Sequence, residues 1–284
     1  MSSKSSSVLL DGMRINYETT GQGVPVLLLH GWPETSYAWR KLSPLLGESY
    51  TVIAVDMPGF GTSSKPQTGY EKLTIAGQLA RMMESLGHDR YFVVGHDMGG
   101  QVAYPLAATQ RDKVAGLVFM ESGLPGFGQE NAMNVGTGGS WHFGFNMAGD
   151  ISETLVSGKE VEFLTFLFYR DKIGVVSADS ITDEDIAVYA RALQRPGGLR
   201  SSFAYYRSLF ADAEDNKKLG ATPLEMPVLA VSADRGYLGG AERTMRQVAD
   251  NVDAITIGES GHYIPEEQPE ALADALKTFF GDRK

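Results

Sequence analysis

The sequence predicts an α/β fold: a mostly parallel, eight-stranded sheet flanked by helices, with a helical cap inserted between the sixth and seventh strands. Three observations lead there. Short, nearly continuous apolar runs recur along the chain, as expected of strands covered on both faces. Stretches with helical spacing separate them, and strand–helix alternation implies parallel pairing with right-handed crossovers. The alternation then lapses between residues 124 and 220 and resumes near the C-terminus.

The elements follow in order. In "SVLLDGMRINYE" two short runs flank Asp11-Gly12, a hairpin signal. The residues before it, Met1 to Ser7, read as a loose tail. Four strand-like runs follow: PVLLLHG (25–31), YTVIAVD (50–56), RYFVVGH (90–96) and VAGLVFME (114–121). In "LTIAGQLARMMESLG", Leu73, Ala76, Ala80, Met83 and Leu86 keep helical spacing, and Gly87 supplies the stop. Beyond Gly123 the chain is rich in aromatics and helical patterns. Strand patterns return in MPVLAVSAD (226–234) and DAITIGESGH (253–262), before a last helix in "PEEQPEALADALKTFF". The expected organisation is a discontinuous core, residues 1–123 and 221–284, carrying a helical cap at 124–220.

Composition narrows the function classes. With 284 residues, 43% of them hydrophobic, the chain is long enough to bury a sizeable core. A net charge of −10 argues against nucleic acid and anionic membrane surfaces as partners. There is no cysteine, so disulfides and thiolate metal sites are excluded. No segment has the apolar length of a bilayer span, and "MSSKSSSVLL" lacks a signal-peptide core. The expectation is a soluble cytoplasmic protein, or a secreted one if a leader has been removed.

In open α/β sheets, ligands bind at the carboxyl ends of the strands. His30, Asp56, Asp97, Glu121, Asp234 and His262 all fall there. Gly95-His96-Asp97-Met98-Gly99 has the strand–turn–helix frame in which many hydrolases hold a serine, with an aspartate at its centre. A serine needs a base to become nucleophilic, whereas an aspartate of pKa ~3.9 is already ionised at pH 7. Attack on a saturated carbon bearing a strained or good leaving group gives an alkyl-enzyme ester. Cutting that ester requires a base and an oxyanion hole. His262 is the expected base, and the N–H groups of Met98 and Trp32 are the expected oxyanion donors. Glu121 and Asp234, ending the sixth and seventh strands, both qualify as the acid that orients His262.

These motifs resemble the aspartate-nucleophile branch of the α/β-hydrolase superfamily. They are His30-Gly31-Trp32-Pro33, the run from Asp56 to Ser63, Gly95-His96-Asp97-Met98-Gly99-Gly100 and Gly261-His262. Haloalkane dehalogenases usually place a Trp after the nucleophile, where this chain has Met98. Fluoroacetate dehalogenases place Arg there and nearby, where Met98 and Gln101 stand, so an anionic substrate lacks that clamp. The chain is similar to a bacterial subgroup of epoxide hydrolases that opens the ring with a His and a Tyr. The matching runs are Trp141-His142-Phe143 and Tyr205-Tyr206-Arg207. The resemblance implies His142 and Tyr206 as ring-opening donors. It also favours Glu121 over Asp234, because that subgroup has its acid after strand six, in a run like Met120-Glu121, while the usual strand-seven acid would fall near Arg235 or Gly236, where no carboxylate stands. Packing alone also accounts for Tyr206, on a face with Phe203 and Phe210, and for His142 among aromatics.

The function this implies is epoxide hydrolysis to a vicinal diol through an ester on Asp97, with no cofactor or metal. The expected partners are a small apolar epoxide and water, and the resemblance suggests a homodimer. Phe127, Trp141, Phe143, Phe145, Phe166 and Phe168 suggest a largely apolar pocket. Haloalkane dehalogenation by the same nucleophile is the alternative, and a non-catalytic binding protein on a hydrolase scaffold the third reading.

Overall fold

Asp11 and Gly12 both take positive φ, 49° and 79°, and turn the chain between two antiparallel strands, as their hairpin signal predicts. The structure is a computed structural model describing residues 3–171, 173–237 and 239–281. Its strands are β1 (Lys4–Leu10), β2 (Met13–Thr20), β3 (Val24–Leu29), β4 (Tyr50–Val55), β5 (Tyr91–His96), β6 (Val114–Met120), β7 (Val228–Ala233) and β8 (Val252–Ile257). They form one sheet in the order β1-β2-β4-β3-β5-β6-β7-β8. The β1–β2 and β2–β4 pairs are antiparallel, and every pair from β4–β3 to β7–β8 is parallel.

The helices before the insertion are α1 (Leu42–Leu46), α2 (Lys72–Ser85) and α3 (Met98–Thr109). Between β6 and β7 come α4 (Gln129–Ala132), α5 (His142–Met147), α6 (Asp150–Val156), α7 (Glu160–Phe168), α8 (Asp183–Gln194), α9 (Gly198–Arg207) and α10 (Leu209–Leu219). The chain closes with α11 (Gly240–Met245), α12 (Ile264–Glu267) and α13 (Pro269–Gly281). Among the described residues no strand lies between β6 and β7, and no helix is long and apolar enough to cross a membrane.

The continuous apolar runs are explained by helices on both sheet faces. Leu27, Leu29, Val93, Leu117 and Phe119 join a buried cluster with Leu79 of α2 and Val102 and Leu106 of α3. Their neighbours Val26, Leu28, Phe92, Val94 and Val118 join a second cluster with Leu42 of α1 and Leu276 and Phe280 of α13. The period of two sends alternate residues to opposite layers.

One expectation is corrected. Lys4 to Ser7 are not a tail but the first half of β1, paired with Asn16 to Thr19 of β2. Pairing uses main-chain groups, so a serine run without apolar alternation can still extend a hairpin.

Two polar latches hold the inserted helices over the sheet. Lys72 of α2 and Asp212 of α10 pair at 2.9 Å with both side chains 1% exposed, and the Lys72 N–H also donates to Asp212. On the other side Arg40 pairs with Asp185 of α8 at 2.9 Å and with Glu266 of α12. The Tyr37 hydroxyl donates to Asp185, and the Tyr189 hydroxyl to Glu266.

Candidate active site

The turn after β5 is built by small residues. A Cβ on Gly99 would lie 2.1 Å from the Leu29 carbonyl oxygen, and one on Gly95 would lie 2.4 Å from that of Gly99. Only glycine lets α3 start so close to the strands. The crossing forces Asp97 to φ 50° and ψ −118°, which lifts its side chain above the carboxyl edge of the sheet. The carboxylate is 23% exposed and faces a cavity of about 710 Å³.

Three partners define that carboxylate. The Trp32 N–H donates to Oδ1 at 2.9 Å. His262 Nε2 lies 3.6 Å from Oδ2, and His262 Nδ1 lies 3.2 Å from Glu121 Oε2. Met98 begins α3 directly after Asp97, but its N–H is not hydrogen-bonded to the carboxylate.

Glu121 leaves β6 with φ 46°, and its side chain is fully buried. Oε1 accepts from the Ala233 N–H at 2.8 Å and Oε2 from the Tyr237 N–H at 2.7 Å. Gly236 makes the room, since a Cβ there would stand 2.2 Å from Oε2. The alternative acid, Asp234, is not brought to His262. Its exposed carboxylate accepts from the N–H groups of Glu259 and Ser260, each at 3.0 Å, and so closes the loop that carries His262. Two other strand-end groups are also structural. Asp56 accepts from the backbone and hydroxyls of Ser36 and Thr62, and His30 accepts from the Met57 N–H. His96, held by Glu34 at 3.0 Å, reaches the His262 carbonyl at 2.8 Å and fixes that backbone.

Electrostatics follow from the geometry. Burial would raise the Asp97 pKa, but hydrogen bonding and charge from His262, the nearby His96 and the Trp32 N–H outweigh it. Asp97 is held well below the usual carboxylate range. Burial would lower the His262 pKa, and its two carboxylate partners instead raise it to about 9. The resting pair is therefore carboxylate and imidazolium.

His142 and Tyr206 face the same cavity from the inserted helices α5 and α9. The Trp32 ring stacks on His142 at 6.3 Å and meets Tyr206 edge-on at 5.2 Å. Burial pushes His142 down to about 3, so it is neutral at pH 7. Its Nδ1 lies 2.5 Å from the Ser140 hydroxyl oxygen. Burial, reinforced by the Asp97 charge, holds the Tyr206 phenol well above its ordinary value.

The expected apolar lining is corrected in part. Trp141, Phe143 and Phe166 line the cavity, whereas Phe145 packs on Phe163, and Phe168 packs on Tyr189 and Tyr263. The short inserted helices turn part of their aromatic face into the packing around them, and Gln101, Gln129, Asn131 and Ser140 add polar groups to the wall.

A family model for the alpha/beta hydrolase fold matches residues 24–151. The soluble epoxide hydrolase of Corynebacterium sp. (strain C12) is 35% identical over 286 residues, covering 96% of this chain and 95% of its own. The chain belongs to the epoxide hydrolase family of α/β-hydrolases. Two solved structures share the fold closely. Cfl2 from Burkholderia cenocepacia has a TM-score of 0.90 at 38% identity, covering 97% of this chain and 95% of its own. The epoxide hydrolase CorEH has a TM-score of 0.89 at 32% identity, with full coverage of both chains.

Several residues of this epoxide hydrolase family member escape sequence reasoning. Ser140 has no motif beyond its place two residues before His142. Asn146, one helical turn after His142, is fully buried, and its side chain acts on the Tyr206 hydroxyl. Arg170 lines the cavity from just beyond α7. Only Gly236 left a signal, as the missing acid of the seventh strand.

Proposed function

We propose that the protein hydrolyses epoxides to vicinal diols through a covalent ester on Asp97. The observation that carries this reading is the convergence, on one cavity, of the Asp97 carboxylate, the His262–Glu121 pair and the His142–Tyr206 pair. In the same reading, residues 124–220 act as the cap that places the second pair over the first.

Asp97 Oδ2 attacks an epoxide carbon and the ring C–O bond breaks. The new oxygen takes the Tyr206 proton while the neutral His142 donates a hydrogen bond. With the Ser140 hydroxyl donating to Nδ1, the His142 proton sits on Nε2. Esterification removes the Asp97 charge that keeps His262 protonated. The His262 proton then passes to the Tyr206 phenolate, leaving an imidazole that serves as base. Water attacks the ester carbonyl carbon as it gives a proton to His262. The oxyanion forms on the former Oδ1, already held by the Trp32 N–H, with the Met98 N–H as second donor. Collapse breaks the ester C–O bond and releases the diol with the proton from His262, leaving Asp97 as a carboxylic acid; its proton passes to His262, and the Asp97–His262 ion pair reforms.

A panel of epoxides and haloalkanes tests this directly. The expected outcome is vicinal diol from the epoxides. Halide release without diol formation would establish the dehalogenase instead, and binding of both without turnover would leave only a scaffold.

A further inference from the structure

We propose that Arg170 makes this cavity select epoxides carrying an anionic group, above all a carboxylate, separated from the ring by several carbons. The inference rests on the epoxide reading and names the substrate class of that site. Arg170 lines the cavity together with Asp97, His142, Tyr206 and Tyr263. Its Nε is buried without a hydrogen-bond partner. Among the described residues, no carboxylate lies within ion-pair distance of its guanidinium.

The two carboxylates on the cavity wall are already engaged. Asp97 is held by Trp32 and His262, and Glu121 by Ala233, Tyr237 and His262. A partly buried guanidinium without a counter-charge is costly, and the group that would relieve it has to come with the ligand. The positive charge of Arg170 bears on His142, Tyr206 and Tyr263. An arginine fork matches a carboxylate in two parallel hydrogen bonds. The anion cannot sit on the reacting carbon, where the Asp97 charge would repel it. About 710 Å³ leaves room for a chain between ring and anion. This differs from a clamp beside the nucleophile, where Met98 and Gln101 provide no charge.

The test uses terminal epoxides with a carboxylate at the far end of a short alkyl chain, and the matching primary amides. The wild-type protein should favour the acids in kcat/KM. Arg170→Gln should lower the acid-to-amide ratio about tenfold or more, mainly through KM, and Arg170→Lys should restore part of it. An unchanged ratio in Arg170→Gln, with diol formed from both probes, would overturn this inference alone. No diol from either probe in the wild type would overturn the epoxide reading and this inference with it.

Discussion

Glu121 and Gly236 are complementary: the carboxylate of one occupies space that any side chain at the other would fill. The structure places the sixth-strand carboxylate against His262 and leaves Asp234 as a loop-closing residue, so the proposed orienting acid is Glu121. In the proposed cycle Glu121 matters most when His262 becomes cationic a second time, during ester hydrolysis. Glu121→Gln should therefore slow that step more than ring opening, so that an adduct of substrate mass accumulates on the protein in intact-mass spectra. Accumulation in Asp234→Asn instead would reverse the assignment. The coupling between His262 and Asp97 is equally testable. Asp97→Asn removes a partner that raises the imidazole, so His262 should titrate below about 9 when followed by its ring resonances. An unchanged midpoint would mean that Glu121 alone holds the proton. Because the folded value lies above the ordinary 6.5, this proton stabilises the fold fully below pH ~6.5, and the contribution is lost as pH rises through about 9.

The sheet and its flanking helices were legible wherever periodicity is local. The Asp11-Gly12 hairpin, the strands that follow it and α2 with its Gly87 stop all read directly from short windows. What joins α10 to α2 did not, because Lys72 and Asp212 are 140 residues apart and no local pattern links them. Their pairing nevertheless anchors the inserted helices. Burial lowers the Lys72 pKa and Asp212 opposes that shift, so removing the carboxylate strands a cation in the interior. Asp212→Ala should cost about 3–5 kcal/mol, measured by urea unfolding. The paired replacement Lys72→Met with Asp212→Leu should recover most of that loss. A single-variant cost under about 1 kcal/mol would show that the latch contributes little.

Taken together, the sheet's carboxyl edge and the inserted helices enclose one cavity from stretches scattered between Trp32 and Tyr263. Asp97, His262 and Glu121 were readable as candidates because strand ends converge at that edge, and the sharp turn marks Asp97 as the proposed nucleophile. His142 and Tyr206 needed the family resemblance, since their proposed role depends on how α5 and α9 face the sheet. Ser140, Arg170 and the polar wall come from other segments that meet only in the folded chain, and they left no pattern in the sequence. In the proposed covalent cycle the oxygen delivered to the diol first belongs to Asp97. A single turnover in heavy-oxygen water, followed by mass spectrometry of both the diol and the Asp97 peptide, tests this most directly. The cycle predicts label in the Asp97 carboxylate and an unlabelled diol. Label in the diol with none in Asp97 would show that water attacks the epoxide directly, contradicting the ester.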